Sequence, residues 1–194
     1  MINIAVFASG SGSNFEAVVR AERNGNIDGN VKLLVTDNAN AFVIERAAPY
    51  NIPVYSFNPK LFDSKEAFER KILNKLEEYG IELIVLAGYM RLIGPTLLSH
   101  YEGRILNIHP SLLPAFPGLD AVGQAHDAKV KVTGVTVHFV DHGMDTGPII
   151  TQEAVKIDER DSKEEVQRRI QRIEHSLYPA TIQFVIEKLK RSGG

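Results

Sequence analysis

From Ile2 to Ile108 the chain alternates short apolar runs with stretches of helical spacing, and that alternation leaves few folds open. Ile2 to Ala8 is apolar except for Asn3 and is followed by Ser-Gly repeats, the pattern of a strand buried on both faces. Phe15, Val18, Val19 and Ala21 then recur at helical spacing. Further strands are expected at 31–36, 53–57, 82–87 and 104–108, with a helix at 41–50 and a short one opening at Pro95. Between them Asp63 reads as an N-cap with Glu66 as its capping-box partner. Phe68, Ile72, Leu76 and Tyr79 supply that helix's apolar stripe, and Gly80 its stop.

Beyond residue 130 the grammar changes. Val135, Val137 and Phe139 alternate with Thr136, His138 and Val140, which predicts a strand with one more polar face. Residues 148–155 are expected beside it as a mixed or antiparallel extension. Ser162 and Glu165 form a second capping box, opening a helix that Pro179 should kink or split. The end, 191–194, is expected to fray. The pattern predicts an α/β fold: an open, doubly wound, mostly parallel sheet of about seven strands with an antiparallel C-terminal extension. Ligands of such sheets bind at the carboxyl ends of the strands. The loops after the first, fourth and fifth strands lie there.

Charge and cysteine content exclude several classes of function. With 22 basic and 24 acidic residues the net charge is -2, so no global field recruits nucleic acid or anionic lipid. An anionic ligand must be held by local groups. The chain has no cysteine, which removes disulfides, thiolate metal sites and thiol nucleophiles together. His138 and His142 fall on a strand-to-loop segment rather than a helix face, so no metal is expected. The N-terminal residues lack the features of a signal peptide, and the apolar runs are too short to span a bilayer. A cytoplasmic protein is the expectation.

Three loops carry chemistry. Ser9-Gly10-Ser11-Gly12-Ser13-Asn14 joins the first strand to the first helix, where free N–H groups attract phosphate; the plainer reading is a turn with Asn14 capping the helix. It has neither the glycine spacing of a dinucleotide fingerprint nor the lysine of a Walker loop. Gly88, Met90 and Arg91 end the fourth strand and could line a pocket for a flat heteroaromatic ligand. Asn107 and His109 stand two apart at the end of the fifth strand, so both side chains face one way. Asp145, between Gly143 and Gly147, could orient that imidazole and favour its charged form. An amide donor, an imidazole and a carboxylate suit acyl chemistry on a carbonyl carbon without a Ser or Cys nucleophile.

Gly-Ser-Gly-Ser-Asn at 10–14, Leu-Ala-Gly-Tyr-Met-Arg at 86–91, Asn-Ile-His-Pro-Ser-Leu-Leu-Pro at 107–114 and Asp-Thr-Gly-Pro at 145–148 together resemble the phosphoribosylglycinamide formyltransferases, in order and spacing, from Asn3 to about Ile186. The resemblance implies transfer of a formyl group from 10-formyltetrahydrofolate, as co-substrate, to the amine of glycinamide ribonucleotide in purine biosynthesis. It implies that Gly12, Ser13 and Asn14 hold the ribonucleotide phosphate and that Glu174 contacts the glycinamide. It implies that Met90, Arg91, Leu92 and Ile93, with Asn107, hold the folate, with Lys65 where relatives often have Arg. Asn107, His109 and Asp145 match the catalytic trio.

The expected organisation is one formyltransferase domain, 1–194, with 1–100 the phosphate-binding half and 101–194 the catalytic and folate-binding half. Small-molecule partners, no nucleic acid or membrane, and a monomer or homodimer are expected. The chain departs from many relatives at Ala115, Phe116, Asp120 and His126, so the 115–127 loop is expected to meet substrate differently. Formyltetrahydrofolate deformylase would need an added N-terminal segment, and methionyl-tRNA formyltransferase a basic C-terminal domain. A rival of another class is a non-catalytic nucleotide- or folate-binding module.

Overall fold

The computed structural model describes residues 1–192; Gly193 and Gly194, within the stretch expected to fray, lie outside the described residues. Seven strands form one sheet: β1 Ile2–Phe7, β2 Gly29–Thr36, β3 Val54–Ser56, β4 Leu83–Leu86, β5 Ile105–His109, β6 Val132–Phe139 and β7 Ile149–Lys156. Their order is β3-β2-β1-β4-β5-β6-β7. β1 to β5 run parallel, while β6 and β7 pair antiparallel. The helices are α1 Ser13–Arg23, α2 Val43–Ala47, α3 Lys65–Glu78, α4 Pro95–His100, α5 Ala121–Asp127 and α6 Lys163–Ser192.

Strand alternation divides the core between the two faces. Ile4 and Val6 pack with Phe15, Val18, Tyr178 and Ile182 of α1 and α6. Ala5 and Phe7 pack with Ile72, Leu76 and Leu97 of α3 and α4. Each fully buried Ile, Leu or Phe is worth roughly 1.5–3 kcal/mol of transfer free energy, so burial on both faces helps hold the helices against the sheet.

Three local expectations are corrected. Ser64, not Asp63, caps α3: its extended backbone lets Oγ accept from Ala67 N at 3.1 Å, and Glu66 instead bonds Arg70 at 2.6 Å. The helix expected over 41–50 shortens to α2 and a 3₁₀ turn at Ala48–Tyr50, because Pro49 cannot donate to Glu45. Pro179 does not split α6, which runs on through it to Ser192. The carbonyl that loses its partner belongs to exposed His175, where water can replace the bond. On β6 the more polar face forms as expected and is itself buried, since Thr136 is fully covered and His138 is 1% exposed.

The Ser162–Glu165 box forms as expected, with Glu165 Oε2 accepting from Ser162 N at 2.7 Å. The strand order reverses at β1 and β4, so a crevice opens beyond their carboxyl ends.

Candidate active site

A cavity of about 550 Å³ occupies that crevice, lined by the loops after β1, β4 and β5 and by α6. The first wall is the Ser-Gly loop. Gly12 is the N-cap of α1 with φ 74, and a Cβ there would lie 2.3 Å from Val43 Cγ2, so only glycine fits. Gly10 O accepts from Val43 N at 3.1 Å and Ser11 O from Arg46 Nε at 2.8 Å, which anchors the loop to α2. The first-turn N–H groups of α1, Ser13 and Asn14 among them, thus border the cavity without intrahelical acceptors.

Asn14 does not cap the helix. Its Nδ2 donates to Glu174 Oε2 at 3.1 Å, across from α6, and its Oδ1 is buried without a partner. Glu174 is 7% exposed. Burial pushes its carboxyl up to about 7, against the opposing pull of Asn14.

The second wall is the segment after β4. Met90 and Leu92 expose apolar side chains to the cavity while Ile93 turns into the core. Three side chains hold this segment, two through its backbone and one through the Arg91 side chain. Ser9 Oγ accepts from Met90 N at 2.9 Å, Asp37 Oδ2 from Arg91 Nε at 2.7 Å, and buried Glu69 Oε1 from Gly94 N at 2.6 Å. Lys65 is exposed at the start of α3 and stands beside Gly94, outside the residues that line the cavity.

The third wall brings Asn107, His109 and Asp145 together. His109, at the end of β5 and 5% exposed, turns Nδ1 to Asp145 Oδ2 at 3.5 Å and Nε2 to Phe116 O at 2.8 Å. Both ring nitrogens therefore face oxygen acceptors. Asp145 has φ 57, an uncommon conformation for a non-glycine residue and one that cost of the order of 1–3 kcal/mol elsewhere in proteins. The flanking glycines make that loop possible: a Cβ on Gly147 would fall 1.8 Å from Phe139 O. Burial pushes the Asp145 carboxyl up, but His138, the Gly118 N–H at 2.8 Å and His109 outweigh it and hold it below its ordinary range.

Sequence reasoning missed His138. β6 pairs antiparallel with β5 so that His138 stands opposite Asn107. Its Nδ1 lies 2.8 Å from Phe139 O and its Nε2 lies 3.2 Å from Asn107 Nδ2 and 3.7 Å from Asp145 Oδ1. One proton decides the pairing: bare Nε2 accepts from the Asn107 amide, while protonated Nε2 donates toward the carboxylate. The available signal was the 136–138 alternation, which puts His138 on the face of Thr136 rather than among the valines. Also missed was Asp141, whose Oδ1 accepts from Gly143 N at 3.0 Å and Thr146 Oγ1 at 2.7 Å and so shapes the Asp145 turn.

The 115–127 loop is tied to α6. Asp120 caps α5, accepting from Gly123 N at 3.2 Å, and pairs with Lys163 Nζ at 2.7 Å; His126 Nε2 lies 3.1 Å from Asp161 O. Two of the departures thus make contacts of their own. Among the described residues no group of three His, Asp or Glu side chains is placed to hold a metal ion, and no helix is long and apolar enough to cross a membrane.

A switch-point crevice with free helix N–H groups on one side and an amide, an imidazole and a carboxylate on the other is an arrangement suited to a group-transfer enzyme. The model of the formyl transferase family matches residues 2–182. A curated phosphoribosylglycinamide formyltransferase of Bacillus subtilis (strain 168) is 57% identical over 186 residues, 96% of this chain and 95% of the relative. One from Escherichia coli (strain K12) is 40% identical over 94% of this chain and 86% of its own length. The crystal structure of phosphoribosylglycinamide formyltransferase from Bacillus halodurans superposes with a TM-score of 0.94 at 56% identity, covering 96% of each chain. The chain belongs to the formyl transferase family, among its phosphoribosylglycinamide formyltransferases. It is a transferase whose reaction is formyl transfer.

Proposed function

We propose that this chain moves the formyl group of 10-formyltetrahydrofolate to the amine of glycinamide ribonucleotide, a step of purine biosynthesis, by direct attack through a tetrahedral intermediate. The observation that carries the reading is the convergence of Asn107, His109 and Asp145 on one cavity wall, with His109 Nδ1 3.5 Å from Asp145 Oδ2. The ribonucleotide phosphate sits on Gly12, Ser13 and Asn14, and Glu174 contacts its glycinamide end. The apolar rim of Met90 and Leu92, with Ile93 buried behind it and Arg91 beside it, suits the flat folate ring, with Lys65 at the outer edge. The domain spans 1–194, its first hundred residues carrying the phosphate site and the remainder the catalytic groups.

The substrate amine attacks the formyl carbon, and the carbonyl π electrons move to oxygen. Asn107 Nδ2 donates to that oxyanion, and His109, carrying a proton on Nε2, stabilises it once Phe116 O gives way; one such donor is worth about 3–4 kcal/mol. Collapse of the intermediate breaks the bond to the folate nitrogen. The proton shed by the amine is relayed through His109 and Asp145 to that nitrogen, so charge and atoms balance. No residue is acylated on this route. A net charge of -2 offers nothing to nucleic acid, and absence of cysteine suits a reducing cytoplasm. The enzyme works on small molecules as a monomer or homodimer.

The test is release of tetrahydrofolate followed spectrophotometrically with and without glycinamide ribonucleotide. Release that requires the ribonucleotide supports the reading. Release at the same rate in its absence makes the chain a deformylase, and binding without release makes it a non-catalytic module.

A further inference from the structure

We propose that Ser9 is a positioning residue that couples the two substrate subsites, so that filling the phosphate loop tightens binding of the folate. The inference rests on the assignment of loop 10–14 to the ribonucleotide and segment 88–93 to the folate. Ser9 is the one residue that belongs to the first loop and bonds directly to the second segment at two points. Its N–H donates to Gly88 O at 3.1 Å, and its Oγ accepts from Met90 N at 2.9 Å. The two bonds bracket Tyr89 and close a small ring across the switch point between β1 and β4.

On its other side Ser9 leads straight into the loop assigned to the phosphate, which is tied to α2 by two bonds. Gly10 O accepts from Val43 N and Ser11 O from Arg46 Nε. A phosphate that orders this loop also orders Ser9, and with it the backbone that presents Met90 and Leu92. Folate then meets a segment whose conformational freedom is already lost, which is positive coupling between sites. Linkage makes the effect reciprocal: folate must tighten the ribonucleotide by the same factor. Segment 91–94 has its own anchors at Asp37 and Glu69, so Ser9 is needed for the coupling rather than for the segment's existence.

The test uses tetrahydrofolate, which carries no formyl group and cannot turn over, titrated calorimetrically into the whole protein with and without saturating glycinamide ribonucleotide. The wild-type chain is expected to bind it about fivefold or more tightly in the presence of the ribonucleotide. Ser9→Ala, which removes the Met90 acceptor, is expected to bring that ratio below twofold, and Ser9→Thr, which keeps the hydroxyl, to restore it. Thermal melting of all three checks that each is folded. A merely structural serine would weaken both ligands without changing the ratio. A wild-type ratio near one, or an undiminished ratio in Ser9→Ala, overturns the proposal while leaving the subsite assignment standing. Failure of the wild-type chain to bind either ligand overturns the assignment and the coupling together.

Discussion

Asp145 Oδ2 lies 3.5 Å from His109 Nδ1 and accepts from Gly118 N at 2.8 Å, so one carboxylate oxygen touches both the imidazole and the loop that closes over it. The contact with the ring is longer than a tight hydrogen bond, which is common in catalytic pairs before substrate arrives. It orders the parts by dependence: β5 sets the ring, the Gly143–Gly147 turn sets the acid, and the 115–120 loop settles on both.

Asp145→Asn keeps the shape and removes the charge. Turnover is expected to fall by about 10²–10⁴-fold, the range of a lost acid–base partner, with ribonucleotide affinity within about threefold of wild type. Steady-state kinetics beside calorimetry of the ribonucleotide checks it. Turnover near that of the wild type would remove the acid from the scheme.

Asn107→Ala takes away the amide that faces the developing oxyanion and strands His138 Nε2 without its 3.2 Å partner. Loss of one such donor is expected to lower kcat by about 10²–10³-fold with little change in folate KM. Equal losses in kcat and in binding would place the amide in ground-state recognition instead.

Glu174 ties stability to pH. Its carboxyl sits at about 7 when folded against an ordinary 4.5, because burial disfavours the anion. The folded state therefore holds the proton more tightly, and its contribution is full below pH 4.5 and lost as pH rises through about 7. The difference corresponds to about 3 kcal/mol at roughly 1.4 kcal/mol per pH unit. Urea unfolding of the ligand-free protein should show stability falling between pH 5 and 8 by an amount that Glu174→Gln removes. Asp145, held low, has the opposite sign and acts only at more acid pH. Identical pH slopes for wild type and variant would contradict the assignment.

Gly12→Ala demands a left-handed backbone and a methyl 2.3 Å from Val43 Cγ2. The strain is expected to cost about 1–3 kcal/mol of stability and to weaken the ribonucleotide more than the folate. Melting and paired titrations check both parts. Unchanged ribonucleotide affinity in a folded variant would move the phosphate elsewhere.

Much of this was legible in the chain itself, for reasons of range. Strand runs such as Ile2–Phe7 and the 107–109 spacing are local patterns, and they placed the sheet, its carboxyl-end loops and the shared direction of Asn107 and His109. Ser64 took the cap because a choice between adjacent residues turns on one ψ angle, which composition does not encode. His138 was hidden for the opposite reason: its role depends on the antiparallel register of β6 on β5, a pairing 31 residues apart. The Phe116 carbonyl on His109 was invisible because a backbone acceptor leaves no trace in residue type.

The central claim is direct transfer at the Asn107–His109–Asp145 wall, and single-turnover rapid quench with a radiolabelled formyl group reads it most directly. With enzyme in excess over labelled 10-formyltetrahydrofolate and ribonucleotide present, the label should pass to the ribonucleotide at the rate it leaves the folate, with none bound to protein. Label accumulating on the protein, or leaving the folate as formate, would contradict it.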